Sequence, residues 1–280
     1  MKKYNKAPLP FQGQKRNFIK IFNRELKKLC DDGDGWTIID VFGGSGLLAH
    51  NAKYTCRKAR VIYNDYDDFQ SRLSRISETE QIRKELLSLT KDIDKDNPIP
   101  LEIKNKIIDY LKNKEKEREI DYLTISSYLI YSGNLIRSVE DESIPRNLYH
   151  RIPLNTLDCK GYLTGVEIVR KCFTELMKEK INGKVLYLLD PPYINTQQGY
   201  FRNNNHYFGL LEQLKLFDLI KPSFFYFTSS KSEIMNIISS GYKYSEIFNH
   251  AKTFKTTNTV TGLLKYQDIL IIKTNHPENI

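Results

Sequence analysis

The chain has 280 residues, with 43 Lys or Arg against 34 Asp or Glu, and its formal net charge is +9. Its length allows either one large domain or a domain that carries a substantial insertion. The basic charge, together with an aromatic content of 12%, favours a polyanionic partner over a neutral or acidic small molecule.

Neither the cysteines nor the apolar runs indicate a metal site or a membrane segment. The cysteines lack the CxxC or Cys/His spacing of zinc ligands, so reduced and mostly buried thiols are expected at Cys30, Cys56, Cys159 and Cys172. The basic N-terminus lacks the apolar stretch of a signal peptide, and no apolar run approaches the roughly 18 residues of a transmembrane helix. We therefore expect a soluble, cytoplasmic protein with no metal and no membrane partner.

Six short apolar runs predict β-strands. In chain order they are TIIDVF (37–42), ARVIYN (59–64), GVEIV (165–169), KVLYLL (184–189), FFYFTS (224–229) and DILIIK (268–273). Their continuous apolar character is typical of strands buried on both faces of a parallel sheet. Helix-compatible segments lie between them: GLLAHNAKY (46–54), VRKCFTELMKEK (169–180), LLEQLKLFDLI (210–220) and SEIMNIISSG (232–241). The alternation predicts a doubly wound α/β domain.

The β/α alternation stops between about residues 69 and 161, where charged helical sequence dominates. We interpret 69–161 as an inserted second domain, and 1–68 with 162–280 as the main domain. The insert contains 16 basic and 16 acidic residues, so the basic excess lies outside it. Its KNKEKERE run (112–119) is therefore interpreted as a solvated helix face and not as a nucleic-acid contact.

The first motif with chemical meaning is DVFGGSGLLA (40–49), a strand that runs into a glycine-rich turn and a helix. Glycines permit positive φ and close approach of the backbone to a ligand. Asp65 ends the next strand, where a carboxylate can accept both hydroxyl protons of a ribose. Because Gly44, Gly46 and Ala49 also satisfy the dinucleotide pattern G-x-G-x-x-A, a nicotinamide enzyme stays open, as does a plain tight turn.

The second motif is DPPY (190–193). A residue before proline is held extended and proline has no N–H, so the carbonyls of this segment point outward without neighbouring donors. The Asp190 carboxylate and the Pro191 carbonyl could accept both protons of an amine conjugated to a ring, such as adenine N6, and so favour a pyramidal nitrogen that can attack. Tyr193 could stack on the extruded base. A proline-rich turn leaving a buried strand is the alternative.

In their order along the chain these motifs resemble the Dam-type N6-adenine DNA methyltransferases. The similarity lies in PLPFQGQKRNF, DVFGGSG, YND, LLDPPY and YQDILIIKTN, and covers nearly the whole chain. It implies a Rossmann-like, mostly parallel sheet of seven strands whose last strand is antiparallel, with the insert as a mainly helical target-recognition domain. It also implies S-adenosylmethionine as cofactor, double-stranded DNA as partner, flipping of the target base and a restriction-modification setting.

The resemblance also assigns roles to single residues. The catalytic set is Asp190, Pro191, Pro192 and Tyr193. The cofactor-binding set is Phe11, Gly13, Lys15, Asp40, Phe42, Gly43, Gly44, Ser45, Gly46, Asp65, Phe173 and Asp190. Two segments depart from the family pattern, since the usual Trp-x-Gly-Gly-Lys reads FQGQK (11–15) and the aromatic at 173 is preceded by Lys-Cys where an acidic or small polar residue is usual.

Within the insert, SGNLIRSVEDESIPRN (132–147) is similar to the family's hairpin that enters the DNA groove. The residues that we expect to contact DNA are Tyr131, Asn134, Arg137, Arg146 and Asn147. Arg137 matches the base-reading arginine, for which a bidentate contact to guanine is the physical rationale. A surface salt bridge to Glu140 or Asp141 is its alternative, and Tyr131 lies one position before the family's intercalating aromatic.

Two further expectations concern the other polar segments. The segment INTQQGYFRNNNHYF (194–208) predicts a mobile loop that closes over the target base. The five histidines are isolated from any Ser or Cys nucleophile motif, so each is interpreted as structural or surface. A monomer is expected, with a dimer as the alternative.

The leading hypothesis is direct methyl transfer from S-adenosylmethionine to adenine N6 in DNA within a ternary complex. Methylation of cytosine N4 or of an exocyclic amine in RNA is the nearest alternative. From other classes, an NAD-dependent oxidoreductase and a catalytically inactive DNA-binding protein also stay open.

Overall fold

The computed structural model describes residues 1–131, 136–139, 144–194, 208–241, 243–261 and 264–275, without the side chains of 258–261 and 264–265. The chain forms two compact units, which are described one by one. The first unit consists of Met1–Ala7, Gly13–Phe69 and Gly161–Ile280, and the second of Pro8–Gln12 and Gln70–Lys160.

The first unit is built on a seven-stranded sheet with the order β3-β2-β1-β4-β5-β7-β6. Its strands are β1 (Trp36–Asp40), β2 (Arg60–Asn64), β3 (Glu167–Val169), β4 (Lys184–Leu189), β5 (Phe224–Ser229), β6 (Lys252–Thr261) and β7 (Leu264–Lys273). Its helices are α1 (Ile19–Cys30), α2 (Leu47–Thr55), α7 (Phe173–Leu176), α8 (Leu210–Leu219) and α9 (Ile234–Ser239), with 3₁₀ turns at Arg16–Phe18 and Lys243–Phe248.

The direction of the strands confirms the predicted mixed α/β, Rossmann-like fold. Strands β1 to β5 pair in parallel, and β7 is antiparallel to both β5 and β6. The last strand of the chain is thus the one that reverses. All residues of β1 and β5 are buried, because apolar layers cover both faces of the central strands.

Both apolar layers contain aromatic side chains from the strands. On one face, Phe18 and Phe22 pack against Phe227 and Phe225 at ring-centroid distances of 5.7 and 5.8 Å. On the other face, a cluster that includes Tyr226 covers the sheet under α8. This packing fixes the carboxyl ends of the parallel strands, where the motifs lie.

Two parts of the first unit differ from the sequence-based expectation. Strand β6 was not predicted, because KTFKTTNTVT is a polar edge strand with threonines and lysines in place of an apolar run. The predicted helix over 169–180 is wrong for most of its length, since α7 has only four residues. The Asn64 side chain binds both the N–H and the carbonyl of Lys171, at 2.9 Å each, so that residue cannot join a helix.

The second unit is mainly helical in its described part. Its helices are α4 (Ile76–Leu89), α5 (Leu101–Glu117) and α6 (Tyr122–Leu129), preceded by α3 (Phe69–Ser74), whose first residue belongs to the first unit. They enclose a separate apolar core that includes Leu86, Ile107 and Ile125. Arg72 is buried in this unit and binds Asp121 at 3.0 Å and the Pro10 carbonyl at 2.9 Å. This contact ties the short segment Pro8–Gln12 to the unit.

The described residues contain neither a membrane-spanning helix nor a cluster of metal ligands. No helix there is both long enough and apolar enough to cross a membrane. Nor do any three His, Cys, Asp or Glu side chains of that part of the chain gather as a metal site would require.

Candidate active site

The ends of β1 and β4 bring two aspartates to one edge of the sheet. Asp40 is the last residue of β1 and pairs with Leu188, and Asp190 follows two residues after Leu188. Since side chains alternate between the faces of a strand, Asp40 and Asp190 lie on the same face. The sheet thus places two predicted site residues side by side.

Lys15 reaches this edge from the N-terminal segment. Its ammonium lies 2.6 Å from Asp190 Oδ2 and donates to the Gly13 carbonyl at 2.7 Å. It also lies over the ring of Tyr193, 5.5 Å from the centroid. The side chains of Lys15 and Asp190 are only 8% and 17% exposed. Three predicted site residues therefore form one buried group.

The pKa of Asp190 reflects opposing influences. Burial raises it above the ordinary value, the Lys15 ammonium lowers it, and the Asp268 carboxylate raises it further. Asp268 belongs to β7, opposite Ser229 of β5, and also raises the pKa of Tyr193. Asp268 is not among the predicted site residues, although a carboxylate within the apolar run of the last strand is an available signal.

Asp40 is buried more completely than Asp190. Its Oδ2 accepts the N–H of Ala49 at 3.1 Å, while its Oδ1 has no hydrogen-bond partner among the residues that the structure describes. Burial raises the pKa of Asp40 to about 7, and the neighbouring Asp190 adds to the increase. At neutral pH a substantial fraction of Asp40 is thus protonated, and one of its oxygens remains available for a ligand.

The glycine loop is shaped by its neighbours as well as by its own conformation. Gly44 and Gly46 have φ values of 48° and 72°, and the Gly46 N–H donates to the Gly43 carbonyl at 2.7 Å. A Cβ on Gly43 would lie 2.2 Å from the ring of Tyr63. The loop therefore needs glycine at 43 to make room for this ring, and at 44 and 46 for the turn.

Asp65 is held in place at the end of β2. Its N–H donates to the Val169 carbonyl at 2.8 Å, and its Oδ1 accepts the N–H of Phe69 at 2.7 Å. The Tyr63 hydroxyl lies 2.8 Å from the same oxygen. The predicted ribose ligand is thus a buried and oriented carboxylate.

Three phenylalanines form an aromatic cluster beyond β1. The ring of Phe42 lies 5.5 Å from that of Phe173 and 5.6 Å from that of Phe208. Phe42 and Phe173 were predicted as cofactor residues, whereas Phe208 was not, because it had been included in a predicted mobile loop. These rings offer an apolar surface on which a planar base could stack.

The chain matches the model of one protein family over most of its length. The model of the D12 class N6 adenine-specific DNA methyltransferases matches residues 11–261. The chain belongs to this family. A protein of Haemophilus influenzae with the name "Putative methyltransferase" is 38% identical over 242 residues, which are 85% of this chain and 80% of that protein.

Membership of the family confirms the predicted class of enzyme. The protein is a DNA methyltransferase specific for N6 of adenine, and the alternatives of an oxidoreductase, of another methylated base and of an inactive binding protein are not favoured. DNA is the substrate that the family implies.

The remaining predicted site residues of the methyltransferase are divided between the two units. Pro191 is buried and Pro192 half-buried directly after Asp190, and Phe11 belongs to the second unit. Among the predicted DNA contacts of this unit, Arg137, Arg146 and Asn147 are exposed. Asn134, both acidic partners considered for Arg137, and residues 195–207 of the predicted loop lie outside the described residues.

Tyr131, the fifth predicted DNA contact of the methyltransferase, is exposed, and neighbouring side chains fix its ring. Its ring is 47% exposed, the Arg151 guanidinium lies over it at 4.5 Å, and the ring of Tyr149 meets it edge-on at 4.7 Å. Arg151 in turn donates to the Ile130 carbonyl at 2.8 Å. Arg151 is not among the predicted DNA contacts, because no sequence motif includes it.

Proposed function

We propose that the protein methylates N6 of an adenine that is flipped out of double-stranded DNA, with S-adenosylmethionine as cofactor. The observation that carries this proposal is the buried pair of Lys15 and Asp190 beside Tyr193, with 2.6 Å between ammonium and carboxylate. A rigid, desolvated carboxylate next to an aromatic ring is what the polarisation of a base amine requires.

The residues around the glycine loop fit the cofactor. We assign Asp65 to the ribose hydroxyls, the Phe42 and Phe173 rings to the adenine, and the loop 43–46 to the methionine part. The free Oδ1 of Asp40 supports this fit, because a buried acceptor of this kind suits an ammonium group. When bound, S-adenosylmethionine supplies an electrophilic methyl group on a sulfonium.

The DPPY segment acts on the target amine. In our proposal the Asp190 carboxylate accepts one N–H of adenine N6 and the Pro191 carbonyl accepts the other, which favours a pyramidal nitrogen with an available lone pair. Tyr193 stacks on the base, a contact that contributes roughly 1–3 kcal/mol. No strong base is needed, since the amine loses its proton after it has become cationic. Lys15 holds Asp190 in its orientation.

The second unit would recognise the target sequence. We assign base or phosphate contacts to Arg137, Arg146, Asn147 and Tyr131, and, from the family resemblance alone, to Asn134. The exposure of the two arginines supports this assignment, because guanidinium groups in the major groove can bind guanine bidentately.

Transfer of labelled methyl from S-adenosylmethionine to unmethylated mixed-sequence DNA, followed by nucleoside analysis, tests the proposal. We expect N6-methyladenine from the wild type and a loss of at least about 100-fold with Asp190→Ala. Asp92→Ala, at an exposed carboxylate of the second unit, is the matched control and should be as active as the wild type. Methylcytosine, or full activity of Asp190→Ala, would refute the assignment.

A further inference from the structure

Tyr63 connects two parts of the cofactor site that no motif connects. It is a residue of β2, fully buried, and its hydroxyl lies 2.7 Å from the Gly44 carbonyl and 2.8 Å from Asp65 Oδ1. Both partners are acceptors, so the single phenolic proton is shared between the glycine loop and the carboxylate. Burial, followed by the charge of Asp65, raises the pKa of Tyr63 well above its ordinary value, which keeps the phenol a neutral donor.

The glycine loop is built around this ring. A Cβ on Gly43 would lie 2.2 Å from two ring carbons of Tyr63, and one on Gly46 would lie 3.3 Å from its Cζ and 3.0 Å from Leu163. Two glycines of the motif thus bring the loop backbone into contact with the tyrosine. A side chain at position 43 would push the hydroxyl away from both of its acceptors.

The hydrogen bond to Gly44 also determines where the loop points its donors. The C=O and N–H of a trans peptide point in opposite directions, so fixing the Gly44 carbonyl toward Tyr63 turns the Ser45 N–H to the other side of the loop. The next carbonyl, that of Ser45, is held separately by the Tyr162 hydroxyl at 2.8 Å. The Tyr162 hydroxyl therefore fixes the loop through Ser45, one residue after the Gly44 carbonyl that Tyr63 binds.

We propose that Tyr63 is a positioning residue that couples the conformation of the glycine loop to the orientation of the ribose-binding carboxylate. This inference rests on the proposed cofactor site. Because one hydroxyl orients both halves of that site, a ligand that needs both halves depends on Tyr63, whereas the target amine does not. The effect therefore belongs to cofactor affinity and not to the methyl-transfer step.

Calorimetric titration with S-adenosylhomocysteine tests the coupling. Tyr63→Phe keeps the ring beside Gly43 and removes only the hydroxyl, and it should weaken binding about tenfold. In an Asp65→Ala background, which leaves no acceptor for the hydroxyl at position 65, the same change should weaken binding by clearly less than tenfold, because residues that act through each other are not additive. Tyr162→Phe should show about the same loss in both backgrounds. Tyr244→Phe, which removes an exposed tyrosine hydroxyl from Asp218, should bind like the wild type.

Steady-state kinetics distinguish this role from a purely structural one, because a purely structural tyrosine would not change the KM of one substrate alone. We expect a raised KM for S-adenosylmethionine with an unchanged kcat at saturation and an unchanged KM for DNA. Affinity of Tyr63→Phe within twofold of the wild type, or equal losses in both backgrounds, would overturn the coupling. If the wild type itself does not bind S-adenosylhomocysteine, the proposed cofactor site fails instead.

A second variant covers the case in which Tyr63→Phe does not fold. Replacement of Tyr63 by 3-fluorotyrosine keeps the ring and the hydroxyl and makes the phenol a stronger donor. The coupling predicts a change in affinity of more than about twofold that is reduced in the Asp65→Ala background. An unchanged affinity would overturn it.

Discussion

Lys15→Met removes the cation of the buried pair while keeping an unbranched side chain of similar length. Loss of one partner of a buried ion pair costs about 3–5 kcal/mol, and the partial exposure of Asp190 favours the lower end, about 3 kcal/mol of unfolding free energy. The cost arises because the carboxylate keeps its burial but loses the ammonium at 2.6 Å. Without that ammonium the pKa of Asp190 rises further, since burial and Asp268 both act in that direction.

The sign of the pH dependence follows from this increase. An acid whose pKa is raised in the folded state destabilises the fold once it ionises, so the cost appears as the pH rises above about 4, the ordinary carboxylate value, and reaches its full size above the folded pKa. We therefore expect Lys15→Met to lose more unfolding free energy at pH 8 than at pH 5. For the same reason the acid limb of its kcat profile should move to higher pH.

Urea unfolding at pH 5 and pH 8, with kcat measured across the same range, checks both expectations. Lys15→Arg retains the charge and is the matched control, so its acid limb should stay near that of the wild type. An equal loss of stability at both pH values, or an acid limb of Lys15→Met that does not move, would show that Lys15 does not control the ionisation of Asp190.

Three further predictions concern charges around the two sites. Asp268→Asn should lower the pKa of Asp190 and move the acid limb of kcat to lower pH, opposite to Lys15→Met, and a limb that moves upward would contradict the inferred field. Asp40→Asn should reduce the loss of stability that the wild type shows in urea unfolding as the pH rises from about 4 to about 7, because burial raises the pKa of Asp40 to about 7. Arg151→Ala should free the Tyr131 ring and weaken DNA binding severalfold in a mobility-shift assay, with unchanged titration of S-adenosylhomocysteine.

The central strands could be predicted because their sequences carry the signal in themselves. Strands β1, β4 and β5 are continuous apolar runs, and burial on both faces leaves no other pattern for them. The edge strand β6 satisfies its backbone groups on one side only and can be polar, so its threonines and lysines gave no apolar signal. The helix predicted before β4 fails at its start because the Asn64 side chain, distant in sequence, binds the backbone of Lys171.

The sequence motifs point to single candidate site residues, but not to the contacts between them. The motifs identified Lys15 and Asp190 separately, whereas their pairing depends on how the N-terminal segment meets the end of β4. Tyr63 was predicted only as part of an apolar strand and not as a site residue. A tyrosine buried in a strand does carry a signal, since its hydroxyl needs a partner, but the sequence does not say that the partners are the glycine loop and Asp65.

Asp190 and Asp40, the two carboxylates at the sheet edge, have different partners. This difference determines which of them is ionised. Asp190 has the Lys15 ammonium at 2.6 Å, which favours its ionised form. Among the described residues, the only hydrogen-bond donor to Asp40 is a backbone N–H on one oxygen, and burial together with the neighbouring Asp190 raises its pKa to about 7. Ionisation of both carboxyl groups in one buried site is unfavourable, so Asp190, which we propose to face the target amine, carries the charge and Asp40 is the one that stays protonated. A cation bound at Asp40 would reverse that order, because an opposite charge favours ionisation of the carboxyl group that it contacts. In the proposed cofactor site, binding of the cofactor's ammonium group at Asp40 should therefore release a proton from this carboxyl group near neutral pH.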